Sequence, residues 1–314
     1  MIEIRRPIGV PVVCALMAMF LQGCANIQMG GDEFRPSPIC EAIVSGNVDR
    51  AMQLVKQGED VNAASGCALF AAAGRGQLEL VKLLLDHKAD PNRRLSGDLT
   101  VIVGTTPLSS AVQSRKVQMV QMLLEGGANP RNDLDAFQVV LNFGDVEMAE
   151  LLLRHGANAN MTYPVKGDVT VYQPVSERES RGITVPRRDL EPDRIDDTLK
   201  RFQCRISEGE SLLYSTVRSE SPGTRDGRDR IAKLLIDHGA DPNARALNGS
   251  TPLMMAASQH NHRVMTMLMD AGADVKATDR CGRTAEDYAV LYPKHQQAPL
   301  APQTKALLQD RQRK

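Results

Sequence analysis

The chain is expected to fold as an all-α repeat solenoid, and three observations lead there. A pattern recurs about every 33 residues, most cleanly from Thr251 to Lys276, which reads T-P-L-M-M-A-A-S-Q-H-N-H-R-V-M-T-M-L-M-D-A-G-A-D-V-K. Apolar runs recur with it, as Leu83-Leu84-Leu85, Leu123-Leu124, Leu151-Leu152-Leu153 and Leu234-Leu235-Ile236, each followed by a turn sequence such as Gly156-Ala157-Asn158 or Gly239-Ala240-Asp241. Composition agrees: there is no Trp and aromatics make up 4% of residues, so the core must come from Ala and Leu on packed helices.

Units begin at Ser37, Cys67, Thr106, Asp135, Ser211, Thr251 and Thr284. Each opens a short helix. Pro in the first turn loses only an N–H that has no partner there, and the Thr or Ser before it can cap. The third position is apolar in the first six units, as Ile39, Leu69, Leu108, Phe137, Leu213 and Leu253. The sixth is small where neighbouring helices must approach, as Ala42, Ala72, Ala111 and Ala256, but Val140 and Thr216 depart from this. A second helix carries the Leu run. It ends at Gly, which takes the left-handed conformation cheaply, and the following Asp or Asn suits the turn that leads out.

These motifs resemble the ankyrin family, whose unit reads roughly T-P-L-H-x-A-A-x-x-G and then x-x-V-x-x-L-L-x-x-G-A-D-x-N. The resemblance covers residues 37 to 160 and 211 to 290. It implies an ankyrin helix-turn-helix stack with β-hairpin fingers and polar ends. Ser37-Pro38-Ile39-Cys40 is a degenerate first unit, and Glu286 replaces the buried Leu of the last, as in a terminal cap. The domain is expected over residues 37–292, as about six repeats plus a cap, with a polar, Pro- and Gln-rich flexible tail at 293–314.

The N-terminus carries a different signal. Arg5 and Arg6 precede an apolar run from Ile8 to Phe20 that is too short to span a bilayer and reads as a signal peptide over residues 1–23. The run ends in Leu21-Gln22-Gly23-Cys24, which resembles the bacterial lipobox, so Cys24 is expected to be lipidated and to become the mature N-terminus; a plain signal peptide is the alternative. Ala25 rather than Asp follows, which in the lipoprotein pattern implies forwarding to the outer membrane, facing the periplasm. Residues 24–36 would be the tether. Lys plus Arg and Asp plus Glu each number 38, which argues against nucleic acid or an anionic bilayer as the main ligand.

Cys40, Cys67, Cys204 and Cys281 remain beyond the anchor, an even number in an oxidising compartment. Cys40 and Cys67 begin adjacent units and are the candidate pair. A Cys204–Cys281 bond would require the long insertion to fold over the fifth and sixth units.

Insertions are the main departures from the family. The finger after the second unit is lengthened through Arg93 to Gly104, and a far longer insertion, residues 161–210, separates the fourth unit from the fifth. Both contain a similar string, Gly97-Asp98-Leu99-Thr100-Val101 and Gly167-Asp168-Val169-Thr170-Val171, a turn feeding a strand. A short helix is expected at Arg194 to Phe202, and extra residues around Ser219 to Arg225 should lengthen the turn inside the fifth unit.

The family implies binding through the fingers and the end of each first helix. The candidate partner-binding residues are therefore Arg75, Leu99, Val101, Ile102, Phe143, Tyr163, Tyr172, Arg218, Leu247 and Asn248. Phe143 leads, because aromatic and Arg anchors carry a disproportionate share of binding energy. No catalytic constellation is found. His87, His155 and His238 recur at one repeat slot, while His260 and His262 lack a third metal ligand. An enzyme, a cofactor and a metal are not expected. The expected function is an envelope adaptor or scaffold that binds a protein partner. The alternative is an immunity protein that caps a periplasm-acting toxin, such as a phospholipase or cell-wall hydrolase.

Overall fold

A computed structural model of the chain describes residues 37–94, 106–163, 169–174, 180–185, 209–218, 225–291 and 301–313. The signal segment, Cys24 and the tether lie outside them, as do the first lengthened finger with Leu99, Val101 and Ile102, and the helix expected at Arg194 to Phe202. Fourteen helices are seen among the described residues: α1 (Pro38–Val44), α2 (Val48–Lys56), α3 (Ala63–Gly74), α4 (Leu78–Asp86), α5 (Pro107–Gln113), α6 (Val117–Glu125), α7 (Leu134–Phe143), α8 (Val146–Arg154), α9 (Leu212–Arg218), α10 (Arg225–Asp237), α11 (Pro252–Ser258), α12 (His262–Asp270), α13 (Ala285–Leu291) and α14 (Ala301–Arg313). Contacts divide the chain into two compact units, Met1–Val139 and Val140–Lys314, with the division inside α7.

Each unit is a stack of helix pairs, the all-α repeat class expected. In the first, α1 packs on α3 and α3 on α5, while α2 packs on α4. In the second, α9 packs on α11 and α11 on α13, with α8, α10, α12 and α14 following one another on the other side. The Leu positions make the core: Leu80, Leu84, Leu123, Leu152, Leu235 and Leu268 are wholly inaccessible.

Capping sets the helix starts. Ser109 N donates to Thr106 Oγ1 at 3.0 Å and Thr106 N to Ser109 Oγ at 3.0 Å, satisfying two otherwise orphaned donors. Asn47, Asp145 and Asn261 cap the second helices α2, α8 and α12. The turn between helices needs positive φ, which Gly46, Gly76 and Gly144 supply at 84°, 68° and 64°.

The D-x-N turn motif has two jobs. Asp90 Oδ1 accepts Asn92 N at 2.9 Å, tightening its own turn. Asn92 then links forward: Nδ2 donates to Gly127 O at 2.9 Å and Oδ1 accepts Asn129 N at 2.7 Å. Asn62 does the same to Lys88 O and Asp90 N. In the second unit, Asn160 reaches Gly239 O and Asp241 N across the long insertion, and Asn243 reaches Gly272 O and Asp274 N. Each carboxamide, with one donor and one acceptor face, sets the spacing to the next repeat.

The insertion leaves and returns through one neck. Tyr163 N donates to Glu210 O at 2.9 Å and Leu212 N to Met161 O at 2.8 Å, beside an antiparallel bridge between Thr162 and Ser211. Tied ends make added length cheap. Within it β1 (Val169–Pro174) pairs antiparallel with β2 (Ser180–Val185), from Val169 opposite Val185 to Pro174 opposite Ser180. The strand read at Val169 to Val171 thus opens a hairpin.

Two expectations need correction. Residues 293–314 were expected to be a flexible tail, yet α14 occupies Ala301–Arg313 and buries Thr304 and Leu308 completely. Its polar composition hid it: Leu308 is the one large apolar side chain wholly buried among the described residues of α14. The fifth unit's extra length was expected as turn around Ser219 to Arg225; residues 219–224 lie outside the described residues, and Arg225 already belongs to α10, which has 13 residues where α12 has 9. Gly227 sits against the turn after α7, where an added Cβ would lie 2.4 Å from Gly144 O, and Arg228 Nε donates to Leu141 O at 3.1 Å.

Candidate protein-interaction surface

The last residues of the first helices form a row in each unit. Their backbone ends are largely self-satisfied: Ser45, Ser114 and Ser258 each donate Oγ to a carbonyl three residues back, at 3.0, 2.7 and 2.7 Å. Longer side chains in the row reach back one repeat. Arg75 Nη2 donates to Val44 O at 2.6 Å, and Gln259 Nε2 to Arg218 O at 2.6 Å. Lys116 Nζ likewise donates to Gly76 O at 3.0 Å. These bonds make the row stiff before any partner arrives, which lowers the ordering cost of binding.

The candidate residues separate accordingly. Phe143, at the C-terminus of α7, is 36% exposed, one of two large apolar side chains presented among the described residues; the other is Val290 at 48% on α13. Arg218 keeps 46% of its side chain exposed while pairing with the buried carboxylate of Glu210 at 2.8 Å. Arg75 is half-buried and engaged with Val44. Leu247 is half-buried in the turn before α11. Asn248 does not present its side chain: it is 5% exposed, and its Oδ1 accepts both Ser250 N at 3.0 Å and Ser250 Oγ at 2.6 Å. Ser250 in turn bonds Tyr214 Oη at 2.9 Å, so Asn248 shapes an internal polar network. Tyr163 lies half-buried in the neck of the insertion, and Tyr172 is in β1 opposite Gly182.

Sequence reasoning missed a cleft in the first unit. It has a volume of about 210 Å³ and is lined by Asn92, Arg94, Thr106, Asn129, Arg131 and Asn132, with Asp133 at its floor. Asp133 is 3% exposed; its Oδ2 accepts from Thr106 Oγ1 and its Oδ1 accepts Ala136 N at 3.1 Å. Burial pushes the carboxyl above its ordinary range, opposed by those hydrogen bonds and by the charge of Arg94. The signal for it lay in Asn132-Asp133, which replace the expected turn residues ahead of a repeat without T-P.

Cys40 and Cys67 form a disulfide with Cα atoms 5.9 Å apart, joining the first two repeats. Cys281 is also disulfide-bonded. No group of three or more His, Cys, Asp or Glu side chains suited to a metal occurs among the described residues.

Comparison with known proteins agrees with this architecture. A family model described as "Ankyrin repeats (3 copies)" matches residues 12–95 and 224–298, and one described as "Ankyrin repeats (many copies)" matches 69–124. Human ankyrin repeat and SOCS box protein 16 is 25% identical over 256 residues, which is 81% of this chain and 47% of that protein. An ankyrin repeat-containing protein of Treponema pallidum (strain Nichols) is 41% identical over 66 residues, 21% of this chain and 22% of its own length. The chain thus spans less than half the length of these curated relatives. Among solved structures, the ankyrin repeat domain of human ASB11 aligns with a TM-score of 0.54 at 23% identity, covering 86% of this chain and 98% of that one. That of Bcl-3 aligns with a TM-score of 0.56 at 19% identity, covering 86% and 100%. These two likenesses speak to fold alone.

Proposed function

The chain belongs to the ankyrin-repeat family, and from that premise we propose that it is an envelope adaptor, held by lipid on Cys24 at the outer membrane and binding a periplasmic protein along its first-helix row. The observation that carries the binding part is Phe143, an aromatic side chain 36% exposed at the C-terminal end of α7. Arg218 ends the first helix of the next repeat, one position earlier in the unit than Phe143, with part of its side chain accessible. An aromatic and an Arg on a stiff face are the residue types that dominate binding energy in protein interfaces.

The anchoring part rests on sequence: Arg5 and Arg6, the apolar run, and Leu21-Gln22-Gly23-Cys24. The Cys40–Cys67 bond agrees with an oxidising compartment. Multiple acyl chains hold a protein far more firmly than one, since each buried methylene adds roughly 0.8 kcal/mol.

Two measurements test the parts separately. A photo-crosslinking residue at position 143 should capture a discrete partner in intact cells, whereas one at Lys233, exposed on α10, should not; equal capture from both positions would refute the row as the binding face. Metabolic palmitate labelling should mark the wild type, and Cys24→Ala should be unlabelled and released from membranes. Membrane association without label would refute the anchor.

A further inference from the structure

His260 occupies the turn between α11 and α12 at a φ of 50°, in a slot filled by Gly46, Gly76 and Gly144 in three other repeats and by Arg115, at 56°, in a fourth. A side chain there meets a steric penalty that glycine avoids. Such a departure persists only where surroundings hold it. Here they do: His260 is 5% exposed, and its Nδ1 lies 2.8 Å from Thr304 Oγ1 on α14. The Nε2 of His262 lies 2.8 Å from the same oxygen. Thr304 is wholly buried.

A hydroxyl carries one proton, so it can donate to at most one ring nitrogen and must accept from the other. His260 Nε2 is buried without a hydrogen-bond partner among the described residues. The cheapest arrangement leaves that nitrogen bare, with His260 Nδ1–H donating to Thr304 Oγ1. A second proton on His260 would then put an N–H where no acceptor stands.

We propose that His260, Thr304 and His262 form an acid-sensitive latch that holds α14 on the end of the stack, and that acidification frees α14. The other charged groups around the turn are engaged elsewhere. From α10, Arg225 donates to Gln259 O at 3.4 Å and Asp229 accepts Asn261 Nδ2 at 2.7 Å. On α13, Asp287 is bonded to Thr284 and feels the charge of Lys305 on α14. Arg311 of α14 pairs with Asp270. Burial, reinforced by the charge of His262, holds the His260 imidazole below its ordinary value. The docked state therefore excludes a proton that the undocked ring accepts. Docking is at full strength above the free imidazole value of about 6.5 and declines as pH falls below it, so opening of α14 should rise between about pH 7.5 and 5.5, by at most about tenfold.

Hydrogen–deuterium exchange of the full mature chain, corrected for intrinsic rates, reads this directly. Peptides from 301–313 should lose protection, by up to about tenfold, across that interval while peptides from α11 do not. His260→Gly, which suits the backbone of the slot, and Thr304→Val should abolish the acid response. Should either variant lose protection in α11 as well, His260→Asn, which tolerates positive φ and does not titrate, replaces it with the same expectation. Unchanged protection of α14 in the wild type, or an acid response that survives in the folded variants, overturns the latch.

Discussion

Gly227 looks like a defect in the sequence and is a contact in the structure. It lies in the first turn of α10, where Ala would ordinarily be better by up to about 1 kcal/mol. The structure reverses that sign. A Cβ at Gly227 would stand 2.4 Å from Gly144 O and 3.1 Å from both Gly144 C and Gly144 Cα, all backbone atoms that cannot rotate aside. Relief requires α10 to retreat from the turn after α7, and the neighbouring bond from Arg228 Nε to Leu141 O, at 3.1 Å, would stretch with it. Overpacking of this kind costs about 1–3 kcal/mol, more than the propensity gain. Gly227→Ala should therefore destabilise the second unit by about 1–2 kcal/mol net, which for a unit of this size is a fall in Tm of about 2–8 °C. Calorimetry of the purified mature domain would resolve it. A rise in Tm would mean that propensity wins and that the close approach does not exist in solution.

Three further outcomes follow from the same geometry. Asn243→Ala removes the bonds to Gly272 O and Asp274 N, at 3.0 and 2.7 Å. At a half-buried site this should cost about 1–2 kcal/mol in urea unfolding, and a loss under a few tenths would make the Asn ladder decorative. Asp133 has a raised folded-state pKa, so its contribution is complete below its unfolded value and declines as pH rises through the folded one. Asp133→Asn should accordingly compare better with the wild type at about pH 7 than at about pH 4, and a difference independent of pH would contradict the burial argument. Reducing the Cys40–Cys67 bond, which closes a sequence separation of 27, should destabilise the first unit by up to about 3.6 kcal/mol on the chain-entropy account. An unfolding curve indifferent to reductant would show that the bond constrains nothing.

Much of the fold was legible because the repeat is local chemistry. Thr106-Pro107 and Thr251-Pro252 cap and start a helix whatever surrounds them, Gly at the turns satisfies a φ requirement set within a few residues, and Leu at helical spacing must find a neighbour to bury against. Asp90 and Asn92 could be read as turn residues, but not as a rung. Which carbonyl Asn160 reaches, Gly239 beyond the insertion, depends on where the neck at Thr162 and Ser211 returns the chain.

The site was legible only in outline. The slot ending each first helix was correctly placed in the chain, yet the same slot holds Arg75, engaged with Val44 O, and Phe143, left exposed. Asn248 has a surface residue's chemistry and a buried residue's role. α14 shows the limit most plainly. Nothing in Ala301 to Arg313 separates an amphipathic helix from a solvated tail, since it offers little more than Leu308 to the core. What decides it is a face supplied by α12 and α13, with His260 and His262 meeting one hydroxyl. The sequence by itself determined the repeat, its helices and its turns, because those depend on interactions a few residues apart. Only the tertiary structure decided which side chains stay exposed and whether Ala301 to Arg313 docks as a helix, because both depend on what the neighbouring repeat places opposite.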